Sequence, residues 1–108
     1  ALASPGDDSK SFRLLPTGRC MDSNWLPILD DGGCRIAAQA LGLADIVPQI
    51  TSIADRPEGC YFFTNTEELS LTLWLNTSPM SRGNGAQETD VSPKGYRQPL
   101  CKNPSLAQ

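Results

Sequence analysis

The sequence contains no histidine. This absence excludes catalytic triads that depend on histidine, zinc and haem sites with histidine ligands, and histidine pH switches. The sequence also lacks a long apolar run, because no segment approaches the roughly 18 residues that a membrane-spanning helix needs. Nine lysines and arginines are scattered and are outnumbered by twelve acidic residues. We therefore expect no membrane span and no basic surface for nucleic acid.

Residues that build a hydrophobic core are also scarce. Hydrophobic residues make up 39% of the 108 residues, below the usual level of about 45–50%. Glycine and proline number nine each, so turns and loops occupy much of the chain, while a net charge of −3 does not oppose folding. The length allows one small domain, and this domain needs stabilisation beyond its core.

Four cysteines can supply that stabilisation: Cys20, Cys34, Cys60 and Cys101. Their wide, uneven gaps lack the closely spaced pairs typical of zinc and iron–sulfur ligands, so we predict no metal and no cofactor. An even number of cysteines in a small chain favours disulfides and an oxidising compartment. The alternative is four reduced, buried thiols in a cytosolic domain.

Three pairings of the four cysteines are possible. We favour Cys34–Cys60, which would tie a helix to a neighbouring strand, and Cys20–Cys101, which would join the two ends of the domain. Two further features agree with export: residues 1–3 read Ala-Leu-Ala, the type of tripeptide that signal peptidase recognises, and residues 76–78 form an N-glycosylation sequon.

Hydrophobic spacing predicts one helix and a β-hairpin. Cys34, Ala37, Ala38 and Leu41 fall on one face of a helix from about Gly32 to Leu41, with Asp31 as its N-cap. Gly42 follows where a left-handed residue is preferred. The strands of the hairpin are expected at 60–64 and 69–75, and a short edge strand at 50–53. The fold class is therefore α+β: one short helix packed on a small antiparallel hairpin or sheet.

The rest of the chain is expected to be irregular. Residues 1–19 are predicted to form an extended N-terminal arm, 20–101 the disulfide-stabilised domain and 102–108 a C-terminal tail. Within the domain, residues 77–99 have too little hydrophobic content for a core of their own and are predicted to form a long loop.

Candidate residues for chemistry are few. The acidic pairs at 7–8, 30–31 and 67–68 are sequence neighbours whose side chains point apart, and no serine has a histidine to activate it. We therefore predict no catalytic residues and no enzymatic activity. Trp74 is expected on the hairpin face opposite the leucines, which makes it a candidate contact for sugar or protein. Tyr61 on the paired strand and Arg82 and Tyr96 in the long loop complete the predicted partner-binding set.

Several segments together resemble a known module. Residues 34–38 read C-x-x-A-A, Leu41-Gly42 follows, residues 57–61 read P-x-G-C-Y, and an alternating strand then ends at Asn76 before Cys101. This order resembles a small four-cysteine module recurrent in proteins of dinoflagellates and related algae. The resemblance implies secreted, membrane-ectodomain or plastid settings, and it brings no assigned catalytic residues.

Two functional hypotheses follow. In the first, the protein is a non-enzymatic accessory subunit on the luminal side of a photosystem–antenna complex in the thylakoid membrane of a chloroplast. The N-terminal arm and the 77–99 loop would become ordered on protein subunits of that complex, which would offset the entropy of ordering. In the second, it is a free secreted or cell-surface recognition module for carbohydrate or protein.

Overall fold

The computed structural model describes residues 11–104. It contains one helix and seven strands in this range, in the order β1 Phe12–Leu14, β2 Leu26–Pro27, α1 Asp31–Ala40, β3 Gln49–Thr51, β4 Gly59–Asn65, β5 Ser70–Asn76, β6 Gln87–Thr89 and β7 Gly95–Lys102. Short 3₁₀ turns occupy Cys20–Ser23 and Pro79–Ser81. Residues 1–10 of the expected arm and 105–108 of the expected tail lie outside the described residues.

The strands form one mostly antiparallel sheet in the order β1-β7-β4-β5-β3, and β2 and β6 also pair with β7. Strands β4 and β5 form the predicted hairpin, with Phe62 opposite Leu73. Strand β3 runs parallel to β5 at the edge of the sheet, as the proline at position 48 suggested. The α+β class predicted from the sequence is confirmed.

Helix α1 covers one face of this sheet. Its buried residues are Cys34, Ala37 and Ala38, and these small side chains allow the helix to approach the strands closely. The expected N-cap was wrong by one residue, because the Asp30 carboxylate accepts the hydrogen bond from the Gly33 backbone N–H at 2.8 Å. Asp31 is the first helical residue, and its carboxylate pairs with the Arg35 side chain one turn later at 3.0 Å.

Two apolar clusters lie on opposite faces of the sheet. The larger lies beneath α1 and contains Ile28, Cys34, Ala37, Ala38, Cys60, Phe62, Leu73, Leu75 and Leu100. The smaller contains Leu15, Cys20 and Cys101, with Trp25 packed against them. Each cluster holds one disulfide, Cys34–Cys60 in the larger and Cys20–Cys101 in the smaller. This is the pairing that the sequence favoured.

The alternating leucines of the second hairpin strand do not all enter the core. Leu73 is fully buried, but Leu71 is 43% exposed, and Leu69 lies outside β5 in the left-handed backbone region with a φ of 56°. Within β5, Leu71, Leu73 and Leu75 point to the α1 side by alternation. The apolar cluster beneath α1, however, includes the opposed pair Phe62 and Leu73 and does not reach Leu71.

We therefore expect Leu73→Ala to lower the free energy of unfolding by about 2–5 kcal/mol and Leu71→Ala by less than about 1.5 kcal/mol. The matched pair removes the same atoms from the same face of one strand, so burial alone distinguishes them. Urea unfolding of both variants measures the difference, and equal losses would contradict this assignment of the core.

The prediction that residues 77–99 form a long loop needs correction. This segment contains the second 3₁₀ turn, all of β6 and residues 95–99 of β7. The segment has no apolar core of its own, and hydrogen bonds hold it in place. Asn84 Nδ2 donates to the Ala54 carbonyl at 2.8 Å, and Gln87 Nε2 donates to the Asp55 carbonyl at 2.7 Å. The Lys94 backbone N–H donates to the Glu67 carboxylate at 2.8 Å.

The expected arm over 1–19 also needs correction within its described part. Residues 12–14 form β1, which pairs with the far edge of β7 and is therefore part of the sheet. The domain thus begins before Cys20, because β7 extends beyond its ladder with β4 and offers free backbone groups to an earlier segment.

Candidate functional site

The sheet face opposite α1 carries a group of aromatic and basic side chains. Alternation along the strands places Tyr61 and Phe63 of β4, Trp74 of β5 and Arg97 of β7 on this face. The register aligns them directly, since Tyr61 is opposite Trp74 and Phe63 is opposite Arg97. Three neighbouring strands therefore contribute to one cluster.

Tyr61 and Trp74 form a pair of nearly parallel rings. Their ring centroids are 6.5 Å apart and their planes differ by 13°. Tyr61 is buried and Trp74 half-buried. The Trp74 indole N–H donates to the Thr72 hydroxyl at 2.9 Å, which fixes the ring orientation and satisfies its only donor.

Arg97 lies beside this pair and is only 8% exposed. Its guanidinium carbon is 5.1 Å from the centroid of the Phe63 ring, and Nη1 donates to the Gln87 side-chain oxygen at 3.4 Å. Burial lowers the pKa of Arg97, and the positive charge of Arg56 lowers it further. Burial raises the pKa of the Tyr61 hydroxyl, against the opposite effect of Arg97 and Arg56.

These side chains surround a shallow cavity of about 160 Å³. Its lining residues are Ile53, Arg56, Tyr61, Phe63, Trp74, Pro93 and Arg97. We call this cavity the aromatic–arginine pocket. Its chemistry suits non-covalent recognition, because it offers ring faces for apolar contact and guanidinium groups as hydrogen-bond donors.

The structure brings together two of the four predicted partner-binding residues. Trp74 and Tyr61 lie side by side in the pocket, whereas Arg82 borders a separate cavity of about 180 Å³ near Glu58. Tyr96 lies on the α1 side of the sheet and borders a cavity of about 460 Å³.

Sequence reasoning missed Arg97, Phe63 and Arg56 as members of the pocket. Alternation along 95–102 places Arg97 on one face of a strand. The register that aligns it with Phe63 depends on pairing with β4, some thirty residues earlier in the chain, and no local pattern reports it.

The predicted glycosylation sequon is not accessible in the fold. Asn76 is 3% exposed, and its side-chain Nδ2, the atom that would carry a glycan, donates to the carbonyls of Ile53 at 2.8 Å and Pro57 at 3.0 Å. A glycan on this nitrogen is incompatible with these contacts, so Asn76 is a structural residue.

Within residues 11–104, no cluster of three or more histidine, cysteine, aspartate or glutamate side chains is arranged to hold a metal ion. No helix in the same range has the length and apolar content needed to cross a membrane.

No protein-family model, curated protein or solved structure matches the chain. The function therefore has to be inferred from the aromatic–arginine pocket and from the fold that builds it.

Proposed function

We propose that the protein is a non-enzymatic recognition module that binds carbohydrate or protein through the aromatic–arginine pocket. The observation that carries this proposal is the Tyr61–Trp74 pair beside Arg97 in an open cavity on the sheet face opposite α1. The two disulfides are typical of proteins that fold in an oxidising compartment or are secreted, and the module is proposed to work there.

The ring pair supports carbohydrate as the first ligand class to test. The face of an aromatic ring carries partial negative charge, and the C–H groups on one face of a sugar ring carry partial positive charge. The half-buried Trp74 ring is fixed by its hydrogen bond to Thr72, so little side-chain entropy remains to be lost on binding.

Replacement of Trp74 tests the proposal. We expect Trp74→Ala to weaken binding to saccharides identified on a glycan array by at least about tenfold, with Trp74→Phe retaining most of the affinity. Tyr96→Ala is the matched control, because it removes an exposed aromatic side chain from the opposite face of the sheet. Isothermal titration calorimetry measures the affinities, and urea unfolding checks that each variant is folded.

Binding that persists in Trp74→Ala would contradict a role for the pocket. Loss of binding in both Trp74→Ala and Tyr96→Ala would also contradict it, because one pocket cannot include residues on both faces of the sheet.

A second candidate function is the accessory subunit of a photosynthetic membrane complex in the thylakoid lumen. Exposed apolar side chains at the sheet edge support it, since Val47 precedes β3 and Ile50 lies within it. Strand β3 is the edge strand of the sheet that residues 11–104 form, and an edge strand can pair with a further strand. The similarity to the algal four-cysteine module adds to this support. One argument for the subunit was that residues 77–99 need a partner to become ordered. This argument is weaker because side chains and backbone groups of the same chain hydrogen-bond to that segment.

Co-purification with a pigment–protein complex from native membranes would favour the subunit. Hydrogen exchange should then show protection of 46–51 that appears only in the complex. Protection that is equal in the free protein and in the complex would remove the edge strand from the interface.

A further inference from the structure

We propose that the ligand of the aromatic–arginine pocket is an acidic saccharide, whose carboxylate or sulfate binds Arg97 and Arg56 while its sugar ring lies against Trp74. This inference rests on the proposed function and specifies its ligand class. Two independent features support it: the hydrogen bonds that Arg97 does not make, and the balance of charge in the pocket.

Arg97 is buried without an anionic partner among residues 11–104. Three other arginines in this range have carboxylate partners although they are more exposed: Arg19 with Asp22 at 2.8 Å, Arg35 with Asp31 at 3.0 Å and Arg56 with Asp55 at 3.2 Å. A guanidinium has five N–H donors, and the side chain of Arg97 makes one hydrogen bond of 3.4 Å within the described residues, to Gln87. No fully buried side-chain nitrogen or oxygen of the described residues lacks a hydrogen-bond partner, so the remaining Arg97 donors reach the solvent. A bound anion there would pair a charge that the fold leaves without a carboxylate.

The charges around Arg97 favour an anion as well. Arg56 is close enough to act on it, and among residues 11–104 the carboxylate that also acts on it is Asp55. The Asp55 side chain is 81% exposed and already pairs with Arg56, so water and salt screen its charge. Two guanidinium groups thus share one solvated carboxylate, although the chain as a whole has a net charge of −3.

The size and lining of the cavity favour a sugar ring that carries the anion. A volume of about 160 Å³ is below the range of about 300–1,000 Å³ typical of whole-ligand pockets. The pocket therefore suits one ring-sized group of a longer molecule. Trp74 and Tyr61 supply ring faces for that group, and Arg97 and Arg56 supply donors for its oxyanion, for which a guanidinium is suited by its fork geometry.

The experiment compares four probes by isothermal titration calorimetry at fixed ionic strength: a galacturonic acid trisaccharide, a sulfated galactose trisaccharide without carboxylates, the neutral galactose trisaccharide and sodium sulfate. We expect at least one acidic saccharide to bind at least tenfold more tightly than the neutral one. The tighter of the two identifies the oxyanion as carboxylate or sulfate. Sodium sulfate that binds as tightly as the sulfated sugar would overturn saccharide recognition.

Substitutions distinguish the contribution of the arginine charges to binding from that of the Trp74 ring. Arg97→Gln should weaken acidic binding at least tenfold and neutral binding less than twofold. Arg56→Gln, at a more exposed position, should weaken acidic binding severalfold even if Arg97→Gln proves unfolded. Arg35→Gln is the control, since Arg35 lies on α1, on the other face of the sheet, and its loss should change neither affinity.

Different results would overturn the acidic ligand and the recognition module. Neutral and acidic sugars that bind equally, with an affinity that depends on Trp74 but not on Arg97 or Arg56, would overturn the acidic ligand and leave the recognition module intact. Binding that does not depend on Trp74, or the absence of binding for all four probes, would overturn the proposal that the ligand is an acidic saccharide. The proposed recognition module would then stand only if another ligand bound in a Trp74-dependent way.

Discussion

A variant that lacks the Cys20–Cys101 disulfide, made by Cys20→Ala with Cys101→Ala, is expected to lose about 4.5 kcal/mol of unfolding free energy. The bond closes a loop of 81 residues, and the loss of loop-closure entropy in the unfolded chain grows with the logarithm of that length. A small domain has a total stability of about 5–10 kcal/mol, so this variant should be close to unfolded at 37 °C.

The second disulfide provides the comparison. Cys34→Ala with Cys60→Ala opens a loop of 26 residues, and the same relation gives about 3.5 kcal/mol. Both pairs are buried, so each variant also loses some packing. Urea unfolding followed by tryptophan fluorescence measures both, because Trp25 packs beside Cys20 and Cys101 whereas Trp74 lies on the hairpin.

Single-tryptophan variants add a check on cooperativity. If Cys20–Cys101 stabilises the whole domain, the Trp25 and Trp74 signals should shift to the same lower urea concentration. A shift of the Trp25 signal alone would mean that the bond holds only the first strands against β7. A total loss below about 2 kcal/mol would contradict the entropic estimate.

The helix and the hairpin were predictable because their signals are local. The spacing of Cys34, Ala37 and Ala38 defines one helical face, and the alternation over 70–76 defines two faces of a strand. The error at the N-cap was small and has a local cause. Asp30 and Asp31 have the same carboxylate, and only the position of Asp30 before the first turn brings it to the Gly33 N–H.

Strand β7 was not predictable from its own residues. It contains Arg97, Gln98 and Pro99, and it pairs with four other strands. Pro99 is tolerated because it lies where the ladder with β4 ends, opposite Tyr61, and the ladders with β1 and β2 begin at the next residues. Such pairings depend on contacts distant in sequence, which also explains why Trp74 was a candidate and Arg97 was not.

Asn76 is expected to contribute more to stability than any other polar side chain of the hairpin. Its side-chain oxygen accepts from the backbone N–H groups of Ile53 at 3.0 Å and Ser78 at 3.2 Å. Its nitrogen donates to the carbonyls of Ile53 and Pro57. These bonds tie the end of β5 to the 53–57 loop, which carries Ile53 and Arg56 into the aromatic–arginine pocket.

Asn76→Ala should therefore lower the unfolding free energy by about 3–4 kcal/mol, since it leaves several buried backbone groups without partners. Asn65→Ala is the matched control: Asn65 is also buried, at the end of the paired strand, but its oxygen accepts only from Glu67 and Glu68 in the turn. We expect a loss of about 1–2 kcal/mol there. Urea unfolding measures both variants, and equal losses would contradict the role assigned to Asn76.

The same contacts predict the modification state of the native protein. Peptide mass spectrometry should find Asn76 without a glycan, even if the chain is exported through a compartment that glycosylates sequons. The Nδ2 atom is enclosed by carbonyls of Ile53 and Pro57, and a sugar on it would displace the 53–57 loop and with it Arg56. A fully glycosylated Asn76 in folded, ligand-binding protein would contradict the hydrogen-bonded position of this side chain, and with it the way the loop completes the pocket.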